Sequence, residues 1–321
     1  MQLRKLSAKL RGVFACLLCW PWLSIGAPEV VVSIKPVHSL IAGVMAGVGT
    51  PELLIGNTQT PHEISLSPSA VRKLSRADRV YWIGQALETP MAKIVSATVE
   101  ESKSVELLLL PGMVSLWTRE SGLWDAHAHS DRHGDHGRFP HQQGDNQNNA
   151  RNMDPHIWLS PVNAGRIVQF AVQDLSRVDA ENADKYSRNG EALLARIQTL
   201  DLEIGKRLLA VNDLPYIVFH DAYAYFERHY GLNAVGSLSV SSERMPGMRR
   251  IQLLRDRIKQ LNARCVFSEP QFEPGVVSTL LEGTQAHGGR LDPLGADLPP
   301  GPDAYFLMMR NLADALVECL G

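Results

Sequence analysis

The 321-residue chain holds only four cysteines, carries no surplus of basic charge, and shows no apolar run long enough to span a bilayer. Each shortage narrows the function. A spanning helix needs about 20 apolar residues, so nothing here reads as a transmembrane segment. Lys and Arg number 32 against 34 Asp and Glu, a balance that argues against nucleic acid as a partner. No His-Glu-x-x-His occurs, which removes the commonest short signature of a zinc hydrolase. Of the cysteines, Cys16 and Cys19 lie in the first 26 residues, leaving Cys265 and Cys319.

Those first residues read as an export signal. Arg4, Lys5, Lys9 and Arg11 precede a short apolar run over 13–23, and Ser24-Ile25-Gly26-Ala27 supplies small residues for cleavage after Gly26 or Ala27. Leu18 stands before Cys19 where a lipoprotein site requires a small residue. Loss of four basic residues leaves 28 basic against 34 acidic, a mature net charge of −6 that is permissive for cations. In an oxidising compartment the remaining pair, Cys265 and Cys319, reads as a disulfide. The alternative, two thiolate metal ligands, fits less well with Cys265 inside the apolar run Cys265-Val266-Phe267.

What the chain does have is histidine, 11 in all. Five of them (His127, His129, His133, His136 and His141) fall in one window among Asp, Gly, Ser and Arg. Such a tract cannot bury a core, and it offers imidazoles and carboxylates to a cation. Imidazole suits zinc, copper, nickel and iron. The surrounding segment, 122–152, reads as a disordered surface insertion, and its five histidines as weak accessory metal ligands.

The rest alternates short β-rich runs with helical patterns. Strands are expected over 30–34, 53–55, 80–83, 105–110, 216–219 and 265–267; helices over 38–48, 222–230, 245–261 and 303–320. Ser67-Pro68 and Ser160-Pro161 each pair an N-cap serine with a proline in the first turn, and so open a helix. Between them this pattern builds βαβ units on a mainly parallel sheet. Tyr186, Leu193, Ile197, Leu200, Ile204 and Leu208 form an apolar stripe at helical spacing, predicting a long connecting helix. The fold class is therefore α/β, two (β/α) lobes bridged by one long rigid helix. The divisions are 1–26 as signal, 27–165 as the first lobe, 166–210 as the connecting region and 211–321 as the second lobe.

Three histidines stand beside element ends. His62 follows Pro61 and comes five residues before the capping Ser67; His156 comes four before Ser160; His220 ends the run Tyr216-Ile217-Val218-Phe219. Ligands in open α/β sheets collect at the carboxyl ends of strands, and three imidazoles plus an oxygen donor make a tetrahedral zinc site. Asp292, in Leu291-Asp292-Pro293, is the candidate for the oxygen, with Glu269 a candidate to orient an imidazole. Each residue also has an ordinary reading. A single histidine is more often capping or core, as expected for His38 and His229, and the ordinary reading of Asp292 is a cap on the structure before Pro293.

Pro61-His62-Glu63 with Leu66-Ser67-Pro68, Asp154-Pro155-His156-Ile157-Trp158-Leu159-Ser160-Pro161, Phe219-His220-Asp221-Ala222-Tyr223, Ser268-Glu269-Pro270-Gln271-Phe272 and Leu291-Asp292-Pro293-Leu294-Gly295 follow one another in this order. Together they resemble the cluster A-I metal-binding proteins of ABC transporters, over essentially the whole exported chain. The resemblance implies zinc held between the lobes by His62, His156 and His220, and a periplasmic monomer that hands Zn²⁺ to a membrane permease without catalysis. Some members carry an acidic ligand just before the first histidine. Pro61 stands there in this chain, which leaves Asp292 or a water for the fourth position. Manganese-binding relatives have a carboxylate where this chain has His220, so the donor set favours zinc. A secreted zinc hydrolase and a metal-binding adhesin remain as competing readings.

Overall fold

The structure, a computed structural model, describes residues 26–56, 59–119, 152–237, 247–270 and 275–321. Nearly all of the expected export signal, and the tract containing His127, His129, His133, His136 and His141, lie outside the described residues.

Two four-stranded sheets carry the architecture, and every strand pair in them is parallel. The first has the order β2-β1-β3-β4, built from β1 (Val30–Val32), β2 (Glu52–Leu53), β3 (Arg79–Trp82) and β4 (Ser104–Glu106). The second has the order β6-β5-β7-β8, from β5 (Tyr216–Val218), β6 (Ala234–Ser237), β7 (Cys265–Ser268) and β8 (His287–Arg290). Helices α1 (Lys35–Val44), α2 (Pro68–Arg76) and α3 (Thr89–Thr98) accompany the first sheet. Helices α4 (Pro161–Val178) and α5 (Ala183–Leu208) connect the halves; α6 (Ala224–Tyr230), α7 (Met248–Gln260), α8 (Gly275–Leu281) and α9 (Ala304–Leu320) complete the second.

Local chemistry accounts for the boundaries. Ser67 Oγ accepts from the Ala70 amide and Ser160 Oγ from the Asn163 amide, so both Ser-Pro signatures start helices. The helical stretch after Ser160 is two helices rather than one. Asp179 leaves helical backbone geometry, and its carboxylate accepts from Asn182 Nδ2 and Tyr186 OH, both at 2.8 Å. A short polar side chain that bonds its own neighbourhood in this way competes with the helical ladder. The strand expected over 105–110 stops at Glu106 and continues as a 3-10 turn, Leu107–Leu109.

The 26-residue α5 is about 39 Å long at 1.5 Å per residue. Its apolar stripe, Tyr186, Leu193, Ile197, Leu200, Ile204 and Leu208, is buried throughout. Gly190 lies on the same face, and a Cβ there would stand 2.4 Å from Val172 Cγ2 of α4. The missing side chain is what lets α4 and α5 approach so closely. Along β5, Tyr216 and Val218 join a core that runs through α5 and α9 to the first sheet, while Ile217 and Phe219 face a smaller cluster with Leu254, Ile258 and Leu280. The larger core is continuous through both sheets, so the two halves are held together by packing as well as by the connecting helices. Cys265, at the start of β7, is disulfide-bonded to Cys319 near the end of α9, with Cα atoms 6.1 Å apart.

Candidate metal centre

Three segments, from both halves of the chain, meet at one place. His62 sits in the 3-10 turn Pro61–Glu63 after β2, five residues before the cap of α2. His156 precedes the turn Ile157–Leu159 that leads into α4, and His220 follows β5. Among the described residues, these three each offer a ring nitrogen, and the three nitrogens lie within 4.8 Å of one another. The ring centroids are 5.2 to 5.9 Å apart. His156 is buried and the other two partly so.

The outward nitrogens fix the inward ones. Nδ1 of His156 lies 2.7 Å from Asp154 Oδ1, which also accepts the His156 backbone N–H at 3.0 Å. Nδ1 of His220 lies 2.8 Å from Glu269 Oε1, and Tyr223 OH donates to the same oxygen at 3.0 Å. A carboxylate acceptor places the imidazole proton on Nδ1 and leaves Nε2 as a lone pair. The two Nε2 atoms then face each other across 3.3 Å. Two lone pairs at that distance repel, so either a proton or a metal cation must lie between them. For tetrahedral zinc with Zn–N of about 2.0–2.1 Å, the separation of two ligand nitrogens is about 3.3–3.4 Å. The observed spacing therefore fits such an ion.

Electrostatics point the same way. Burial works against charge on His220, but the Glu269 carboxylate, its hydrogen bond, and the charges of Asp221 and Asp154 outweigh that and raise its pKa. The pocket is thus built to favour positive charge at His220. A metal cation bound at Nε2 would supply that charge while leaving the ring neutral.

Asp292 is placed differently from the three histidines. Its carboxylate accepts from the amides of Leu294 (3.1 Å) and Ala296 (2.6 Å), capping its own turn. The same turn turns its carbonyls toward the buried ammonium of Lys35, which donates to Gly295, Ala296 and Leu298 at 2.5, 3.0 and 2.7 Å. Asp292 is outside the group of converging ligand atoms, and each of its carboxylate oxygens accepts one backbone amide. Glu63, beside His62, is exposed, and Pro61 is buried. Of the remaining described histidines, His38 Nε2 meets Pro51 O at 2.9 Å, His229 pairs with Asp201 at 2.7 Å, and His287 lies exposed on β8. Sequence reasoning named Glu269 but gave no role to Asp154, although Asp-Pro-His puts that carboxylate within reach of the ring two residues on.

The sequence pattern of zinc-uptake complex component A, periplasmic, matches residues 30–319. The chain belongs to the ZnuA family. It is 40% identical over 324 residues to the high-affinity zinc uptake system protein ZnuA of Brucella abortus (strain 2308), covering 97% of each chain. To its counterpart from Yersinia pestis it is 33% identical, covering 95% of each. A crystal structure of ZnuA superposes with a TM-score of 0.74 at 24% identity, over 92% of this chain and 100% of that one, which supports the two-lobed fold. ZnuA proteins are solute-binding proteins rather than enzymes, so the hydrolase reading falls. Among the described residues no helix is long and apolar enough to cross a membrane.

Proposed function

We propose that this ZnuA-family protein captures Zn²⁺ in the periplasm and delivers it to the permease of an ABC transporter. His62, His156 and His220 bind the ion through their ring nitrogens, and water takes the fourth position in place of Asp292. The observation that carries this reading is the facing Nε2 pair of His156 and His220, 3.3 Å apart, with each Nδ1 held by a carboxylate. Three neutral imidazoles suit zinc better than the harder manganese ion. The names of the relatives from Brucella abortus and Yersinia pestis support zinc as cargo.

Export by the segment 1–26, a monomeric state and the lack of any nucleic-acid partner belong to the same reading. So does weak accessory binding by His127, His129, His133, His136 and His141. Calorimetry on the intact chain and on a form lacking 126–149 tests the accessory role: the tight site stays and total stoichiometry falls. Unchanged stoichiometry contradicts it. Delivery is tested by vesicles containing the permease and ATPase of a zinc ABC transporter. Zinc uptake into them requires the loaded protein, and uptake indifferent to the protein contradicts delivery.

A further inference from the structure

Arg119 reaches from the first half of the chain to two buried carboxylates of the second, Asp221 and Glu227. Its Nε donates to Asp221 Oδ2 at 2.9 Å and its Nη2 to Asp221 Oδ1, a two-pronged pair; Nη1 donates to Glu227 Oε2 at 2.7 Å. Burial opposes charge on the guanidinium, yet Asp221 and Glu227 outweigh it and raise its pKa. The Glu227 carboxyl is itself pushed up to about 7, chiefly by burial.

The two ends of this arrangement are the two histidines of the facing pair. Asp221 follows His220 directly, in a turn closed by the Ala222 amide on His220 O at 2.9 Å. Arg119 ends a short antiparallel ladder in which Trp117 bridges Met153, the Thr118 amide donates to Asn152 O (3.0 Å), and the Asp154 amide to Leu116 O (2.8 Å). Asp154 is the residue that holds His156. Tyr225 OH closes the circuit, accepting from the Leu116 amide (3.0 Å) and donating to Asp154 O (2.9 Å).

We propose that Arg119 is a positioning residue for the metal site: by gripping Asp221 with its fork it fixes the turn that presents His220 relative to the ladder that presents His156. The proposal rests on the reading that these histidines hold zinc. A guanidinium fork matches a carboxylate at two points, whereas an ammonium is a point charge that sets distance but not orientation. Charge neutralisation alone would be satisfied by either. Glu227 shares the cation from within α6, six residues beyond Asp221, so its side chain does not grip the turn that presents His220 and it separates the two roles.

The test uses the full exported chain with zinc or cobalt(II) as the probe. Arg119→Lys keeps the cation and loses the fork. Zinc dissociation into excess chelator should accelerate at least about tenfold, the lower range for loss of an orienting partner, and the cobalt d–d spectrum should change shape. Glu227→Gln should leave both as in the unaltered protein. If Arg119→Lys does not fold, the triple variant Arg119→Met, Asp221→Asn, Glu227→Gln removes all three charges together, and it should show the same acceleration and spectral change. A folded Arg119→Lys or triple variant with unaltered dissociation and spectrum overturns the proposal. The underlying reading fails separately, if His220→Ala binds zinc as the unaltered protein does.

Discussion

Nε2 of His220 and Nε2 of His156 face each other at 3.3 Å, each ring being anchored from behind by a carboxylate. The partners are Asp154 in one half of the chain and Glu269 in the other, so each half brings its own oriented imidazole. His62, from a third segment, completes the set. The continuous core and the Lys35 contacts keep these segments in register before any metal arrives. Preorganisation of this kind lowers the ordering cost of binding.

Acidification weakens zinc binding. In the metal-free protein the pKa of His220 lies above its ordinary value, so the proton begins to compete above pH ~6.5. For a raised pKa, the stability contributed by the protonated ring is present below the unfolded value and lost as pH rises through the folded one. Acid therefore favours the metal-free form, and zinc the neutral ring. The zinc-induced rise in melting temperature should be large at pH 8 and much smaller at pH 5. In Glu269→Gln affinity at pH 8 should drop about 10–100-fold, with the pH dependence displaced to lower pH. A zinc shift independent of pH would contradict this.

Gly190→Ala should destabilise the protein by about 1–3 kcal/mol through overpacking, because the new methyl meets Val172 at 2.4 Å. Adding Val172→Ala should recover much of the loss, as the two changes share one contact. Urea unfolding of the single and double variants checks this, and additive losses would contradict the close approach.

Replacing Cys265 and Cys319 by serine should lower stability by up to about 4 kcal/mol in the chain-entropy description of a 54-residue separation. Zinc affinity should hardly change, since the disulfide meets β7 at its start and Glu269 follows its end. A melting curve and a zinc titration on the same protein separate the two effects.

Periodicity revealed the elements whose burial is one-sided or complete. The stripe on α5 and the valine run of β1 announce themselves because packing demands those residues. The two Ser-Pro starts were equally legible, since capping is local chemistry. Strand β8, His-Gly-Gly-Arg, escaped because it has no β-branched or aromatic residue; its glycines answer to neighbours, a Cβ at Gly289 standing 2.4 Å from Phe267. Helix α3 was missed as well. In the site, the three histidines were readable from their places beside strand and helix ends. Arg119 was not, because its partners lie 102 and 108 residues away and no local pattern joins them. Asp292 reads as an oxygen donor by type, and the hydrogen bonds it accepts from amides two and four residues ahead are not visible in the residue pattern.

The most direct test is a competition titration of zinc against a chromophoric chelator, on the intact protein and on His62→Ala, His156→Ala, His220→Ala and Asp292→Ala. One tight site is expected in the intact protein. Each histidine change should weaken it by at least about 100-fold, the upper range for loss of a mere orienting partner, and Asp292→Ala should weaken it less than any of them. Asp292→Ala as the most damaging of the four, or tight binding that survives loss of all three histidines, would contradict the account.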